Sequence, residues 1–214
     1  METIIIKNAS KKIKDTVIYE DIDMTCESGS IVGLIGKNGA GKTMLLKSIC
    51  GLTNYTGGEI SVLGKKIGTD VEIPESVGVI IEVPGFLPNL SGYKNLKYLA
   101  DIKGKIGKDR IFEVIKQVGL DPENKKHVGK YSLGMRQRLG IAQALMEDPE
   151  ILLLDEPMNG LDNKGVAEVK EILKELRKRD KTIILASHHM EDIDELCDKV
   201  VVMDSGKIID RYDK

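Results

Sequence analysis

Gly36-Lys37-Asn38-Gly39-Ala40-Gly41-Lys42-Thr43 is the stretch whose residue types and spacing first suggest chemistry; it follows the apolar Ile31 to Ile35 and precedes the helix-compatible Met44 to Cys50. A short apolar run bounded by glycine reads as a buried strand, and the residues after it repeat at helical spacing. A glycine-rich loop between strand and helix is the setting a G-x-x-x-x-G-K-[ST] phosphate loop requires. Gly36, Gly39 and Gly41 permit turns and close approaches that a Cβ would block, so successive N–H groups can point at phosphate oxygens. The helix adds its positive N-terminal end at the same place. Lys42 would reach the β- and γ-phosphates, and the Thr43 hydroxyl would ligate Mg²⁺. The spacing predicts a site for a nucleoside triphosphate.

A second chemical group lies far downstream. Ile151-Leu152-Leu153-Leu154 delivers Asp155-Glu156 to the carboxyl end of a buried strand, where ligands of open α/β sheets bind. In a phosphate-loop enzyme Asp155 can hold Mg²⁺, directly or through water. Glu156 is then available to orient or deprotonate an attacking water.

The elements that must position these residues follow from pattern. Thr3 to Ile6 and Thr16 to Met24 read as strands, with Lys11 to Asp15 as the turn between them, so a β-rich start precedes the loop. Glu59 to Gly64 reads as a strand with its turn, and Val77 to Glu82 as a buried strand stopped by Val83-Pro84-Gly85. Asn95 to Ala100, Asp109 to Val118 and Arg136 to Met146 suit helices; Ile111, Val114, Ile115 and Val118 recur at helical spacing. Beyond Asp155 come a helix from about Lys164 to Arg179, a strand from Thr182 to Ala186, a short helix from Met190 to Cys197 and a strand from Val200 to Met203. Unbroken apolar strands alternating with amphipathic helices predict a mainly parallel sheet covered on both faces.

With these residues in place the chain resembles the ATP-binding subunit of an ABC transporter, over nearly its whole length up to Asp204. The family signature, Leu-Ser-Gly-Gly-Gln in its usual form, falls on Tyr131-Ser132-Leu133-Gly134-Met135, where the serine and the second glycine are retained. By resemblance, Ser132 and Gly134 would cap the γ-phosphate held by a partner subunit. Asn159-Gly160-Leu161-Asp162 matches the D-loop, which implies that Asp162 lies near a dimer seam. Ser187-His188 matches the switch histidine, whose imidazole would donate to the γ-phosphate. Where the family usually has glutamine, between core and helical insertion, this chain has Glu82; a carboxylate accepts from water and ligates Mg²⁺ but cannot donate. The aromatic that usually stacks on adenine aligns near Ile13, and Tyr19 is the nearest aromatic. Glu82, the Pro84 to Leu90 run and the Tyr-Ser-Leu-Gly-Met signature resemble exporters of peptide antibiotics, including those giving bacitracin resistance and lantibiotic self-protection.

The resemblance implies an α/β fold: a P-loop NTPase core with a mainly parallel sheet, an N-terminal antiparallel β subdomain and a helical insertion. Residues 1–87 and 147–214 would form the core and 88–146 the helical subdomain of one ABC ATPase domain. It implies ATP and Mg²⁺ as ligands, a second copy of the chain and a membrane permease as partners, and a cytoplasmic position on the inner face of the cell membrane. Export of an antimicrobial peptide or drug is the expected work; a soluble ABC ATPase acting on ribosomes or DNA, or an ATP-gated regulatory module, are the alternatives.

Composition narrows these classes. The 214 residues are 41% hydrophobic and 31% charged, which suits one large globular domain. A net charge of -2 does not suggest a surface built to neutralise nucleic acid. Lys103, Lys105 and Lys108 read as a solvated loop. Cys26, Cys50 and Cys197 are odd in number, far apart and without a C-x-x-C pair, which predicts a reducing compartment and no metal site. No stretch approaches the ~18 apolar residues of a membrane span, so a crossing is expected from another chain.

Overall fold

The computed structural model describes all residues from Met1 to Lys214. The unbroken apolar runs form the middle of a six-stranded sheet, where both faces are covered and every side chain can be buried. Its strands are β3 (Ile31–Ile35), β6 (Val77–Ile80), β7 (Ile151–Asp155), β8 (Thr182–Ala186), β9 (Lys199–Asp204) and β10 (Lys207–Asp213), in the order β10-β9-β3-β8-β7-β6. All neighbours are parallel except β10, which folds back on β9 as an antiparallel edge. A second sheet is wholly antiparallel: β1 (Glu2–Ile13) and β2 (Thr16–Glu27) form a long hairpin, β4 (Gly57–Val62) pairs with the other side of β1, and β5 (Lys65–Lys66) completes it.

Successive residues of each central strand serve opposite layers. Ile31, Leu152, Leu154, Ile183, Leu185 and Val200 belong to the apolar layer shared with the helices α4 (Leu133–Leu145), α5 (Asn163–Lys178) and α6 (Met190–Leu196). Val32, Leu34, Leu153, Ile184 and Val201 face α1 (Lys42–Ile49) and the inner side of β1, β2 and β4. The helices α2 (Gly92–Lys103) and α3 (Lys108–Gln117), with α4, occupy the insertion between β6 and β7 and extend the first layer through Leu96, Ile111, Val114 and Leu139. Helix α5 buries Val169, Ile172, Leu173 and Leu176, the 3-4 spacing of a core-facing stripe.

Three side chains start helices by accepting a backbone N–H: Ser91 from Lys94, Ser132 from Met135 and Asp162 from Gly165. Two of them are the resemblance-derived site residues Ser132 and Asp162, so their backbone positions are set by helix starts.

The structure departs from the sequence pattern in several places. β1 runs on to Ile13, so only Lys14 and Asp15 turn the hairpin; bulges let the polar Asn8 to Lys12 stretch stay paired. Lys11 is buried because its ammonium group donates to the Thr53 hydroxyl, at 2.7 Å, and to the Asn54 carbonyl, which replaces water. β6 stops at Ile80, two residues before Glu82, whose φ of +61° breaks the strand. Helix α4 begins at the signature itself rather than at Arg136, because Ser132 caps it. β10 has no core-facing alternation, its residues being almost all exposed, and pattern reading passes over it.

Candidate functional site

Four parallel strands end at the same edge of the sheet, and each delivers one group expected from the sequence. β3 leads into the loop Gly36 to Thr43, β7 ends in Asp155-Glu156, β8 is followed by Ser187-His188, and β6 is followed by Glu82. Ile18, Asn38, Gly39, Ala40, Gly41, Lys42, Thr43, Met44, Asp155 and Glu156 line one open cavity of ≈ 480 Å³, within the usual size of a ligand pocket.

The loop is built for close approach. Gly41 has φ +101°, and a Cβ there would lie 2.9 Å from the Ile18 carbonyl, so glycine is required on both counts. Lys37 and Asn38 carry their backbone round the turn, and Ala40 tucks its methyl group into the core beneath it. Lys42 is buried; its ammonium group turns back to donate to the carbonyls of Gly36 at 2.5 Å and Lys37 at 3.3 Å. A cation wrapped by its own loop at the start of α1 marks the position an anion would take.

One residue further, the Thr43 hydroxyl donates to Asp155 Oδ2 at 2.6 Å. Burial pushes the Asp155 carboxyl above the usual range, and the charges of Glu156 and Glu82 add to the rise, while the Thr43 hydrogen bond and Lys42 oppose it. A half-buried carboxylate and a hydroxyl sharing one point, in a field short of positive charge, are a donor set suited to a hard divalent cation.

Glu156 adopts φ +50° and donates its N–H to the Ala186 carbonyl at 2.8 Å, which anchors it to β8. Its carboxylate meets His188 Nδ1 at 2.7 Å. The strained turn thus aims the carboxylate across the strand ends toward the loop that follows β8.

Glu82 lies at the rim. Its carboxylate is paired with Lys47 of α1 at 2.6 Å and is largely exposed, while its charge still acts on Asp155. Ser132 and Gly134 lie elsewhere, in a separate cleft with Gly160, Leu161 and Asp162. Ile13 is at the hairpin tip, outside the residues lining the phosphate-loop cavity. Tyr19 is fully buried, donating to the Ser48 hydroxyl at 2.7 Å, and offers no face for a base. Ile18, Ala40 and Met44 supply the apolar border of the cavity, and sequence reading passed over Ile18 beside its aromatic neighbour.

Other contributors also escaped the sequence reading. Lys47 has the periodicity of any helix-surface lysine. Gln137 is buried and donates to the carbonyls of Pro157 at 3.0 Å and Glu156 at 3.4 Å, joining α4 to the acidic strand end. Arg138 is its neighbour in the same polar run, and only a fold could separate the two from solvated residues.

A phosphate loop after β3, an acidic pair after β7 and a histidine after β8, on one edge of a parallel sheet, define the chain as a P-loop nucleotide-hydrolase fold. Residues 19–159 match the family described as ABC transporter. The uncharacterised ABC transporter ATP-binding protein YybJ of Bacillus subtilis is 48% identical over 203 residues, spanning 95% of this chain and 93% of that one. The bacitracin transport ATP-binding protein BcrA of Bacillus licheniformis is 43% identical, spanning 89% of this chain and 63% of its own. The lantibiotic transport ATP-binding protein SrtF of Streptococcus pyogenes is 37% identical, over 95% and 88%. A solved ATP-binding subunit of an ABC transporter superposes with a TM-score of 0.89 at 24% identity, covering 99% of this chain and 90% of that one. The chain belongs to the ABC transporter family and is an ATP-binding subunit, an ATPase. No helix is long and apolar enough to cross a membrane.

Proposed function

We propose that this subunit hydrolyses ATP to drive export of an antimicrobial peptide through a separate membrane permease, docked on the inner face of the cell membrane. The cargo class rests on relatives such as BcrA and SrtF, whose names assign them to bacitracin and lantibiotic transport. Residues 1–87 and 147–214 serve as the nucleotide-binding core and residues 88–146 as the helical subdomain, with the permease docking near Glu82 to Leu90.

The observation that carries the catalytic reading is the convergence of Lys42, Thr43–Asp155 and Glu156–His188 on one strand edge. Lys42 and the N–H groups of Gly36 to Thr43 hold the triphosphate. Thr43 and Asp155 would hold Mg²⁺, with Glu82 as a further carboxylate that would join them once released from Lys47; the ion would supply neutralising charge to the phosphates. Glu156 orients the attacking water and accepts its proton, and His188 keeps the carboxylate aimed while lying ready to donate to the γ-phosphate.

Two copies sandwich the nucleotides head to tail, with Ser132, Gly134 and Asp162 of each chain sealing the other's site. Hydrogen bonds to charged groups contribute about 1.5–3 kcal/mol each. Two or three across the seam approach the ~5.5 kcal/mol that takes a population from 1:99 to 99:1. Gel filtration of Glu156→Gln with ATP tests the pairing: a dimer is expected with ATP and a monomer without it. A monomer in both conditions overturns the sandwich.

A further inference from the structure

Arg138 lies on α4, almost two turns beyond Ser132, and its side chain is only 14% exposed. Nη1 donates to the Val118 carbonyl at 2.7 Å and to Glu168 Oε2 at 2.5 Å, and Nη2 lies 3.9 Å from Asp162 Oδ1. Val118 ends α3, so its carbonyl is one of the groups that helix leaves without an internal partner, at its negative end. Glu168 is on α5, and Asp162 caps that helix. One guanidinium therefore joins three elements: the end of α3, α4 with its Ser132 turn, and the first turns of α5 that follow the Asn159–Asp162 loop.

Two glycines leave room for it. A Cβ on Gly119 would stand 2.6 Å from Nη1, and one on Gly165 would stand 2.8 Å from Nη2. Gly165 is the instructive one, since it lies in the first turn of α5 without a positive φ, where alanine would favour the helix by up to about 1 kcal/mol. Independent contacts follow the same seam. Leu133 packs so closely on Gly160 that a Cβ there would meet its side chain at 2.5 Å, and a Cβ on Gly134 would meet the Gly160 carbonyl at 2.9 Å.

We propose that Arg138 is a positioning residue that makes the Ser132–Gly134 turn and the Asn159–Asp162 loop one rigid body tied to the end of α3. The two surfaces offered to a second copy of the chain then arrive in register, and a displacement of the helical insertion moves both. The guanidinium donates twice through Nη1, to Val118 and Glu168, and brings its charge within 3.9 Å of Asp162. The inference rests on the paired arrangement proposed above.

The test uses Arg138→Met and Gly165→Ala, each in the Glu156→Gln background. ATP affinity is measured on dilute monomer by equilibrium dialysis, dimerisation by sedimentation with ATP, and thermal stability by melting. Both variants are expected to hold ATP within about twofold of the parent and to dimerise at least about tenfold more weakly, a loss worth about 1.4 kcal/mol. Gly165→Ala presses its Cβ on Arg138 Nη2 at 2.8 Å and on the capping Asp162 Oδ1 at 2.9 Å, both side-chain ends, and is expected to melt within a few degrees of the parent. Variants that dimerise like the parent overturn the role of Arg138. So does loss of dimer that tracks a fall in melting temperature and ATP affinity. A parent that fails to dimerise overturns the paired reading itself, and this inference with it.

Discussion

The phosphate loop and the signature turn are both helix starts, yet one is finished and the other is not. At the loop, Lys42 is buried and bonded to backbone carbonyls, and Thr43 is bonded to Asp155, so the cradle is assembled within one chain. At the turn, the Ser132 hydroxyl accepts only from the Met135 N–H and otherwise faces water. Its stability comes from behind, through Gln137 and Arg138, rather than from anything in front. Gripping a nucleotide is therefore assembled locally, whereas the role proposed for the signature turn depends on a second copy of the chain.

The sharpest way to break that contrast is at the acidic strand end. Glu156→Ala removes the group proposed to orient water and is expected to lower steady-state phosphate release by about 10²–10⁴-fold, with nucleotide affinity largely retained. Turnover within tenfold of the parent in a phosphate-release assay would displace Glu156 as the base. Next comes Ser132→Asp. Aspartate caps a helix about as well as serine, so the melting temperature is expected to hold. The added negative charge opposes a facing triphosphate, and ATP-dependent dimerisation with coupled hydrolysis is expected to fall at least about tenfold. A variant that pairs and turns over normally would move the sealing role away from this turn.

Two smaller effects sharpen the finished side. Tyr19→Phe deletes a buried hydrogen bond and is expected to cost about 1 kcal/mol in denaturant melts without altering ATP affinity, since Ser48 also donates to the Met44 carbonyl. A large loss of nucleotide affinity would restore Tyr19 as a base contact. Between α5 and α6, hydrogen bonds from Lys170 and then Lys174 hold the Glu195 carboxyl well below its usual range, at about 2. A carboxylate with a depressed folded pKa contributes stability above its unfolded value of 4.5, and that contribution is lost as pH falls toward about 2. Glu195→Gln is expected to flatten melting temperature against pH across that window. The group is half exposed, so the difference is under about 1 kcal/mol.

How much was legible in advance follows the sequence separation of the contacts. The phosphate loop, the acidic end of β7 and the stripe of α5 are read within a dozen or so neighbouring residues, because turn geometry and helical period act at that range. Ser132 and Asp162 were legible through their motifs, and a helix cap is what Ser132 alone suggests, whereas the cap at Asp162 was not drawn from the sequence. The pairing of Glu82 with Lys47, the burial of Lys11 under Thr53 and the enclosure of Tyr19 join residues 29 to 42 positions apart, and nothing local announces them. β10 was missed because a strand that lies on a sheet edge with nearly all its side chains in water needs no apolar period.

The linear order of residues by itself determined the chemistry: a glycine loop that admits phosphate, a lysine and a threonine at its end, and carboxylates delivered by an apolar strand. These are properties of residue type and of spacing along one element, which the backbone enforces wherever the element is placed. Only the tertiary structure decided which groups meet. Burial set the raised pKa of Asp155, the strand edges brought His188 to Glu156, and two distant glycines opened the space that Arg138 fills. Desolvation and close approach depend on what the rest of the chain excludes from a site, and that is known only once the chain has closed around it.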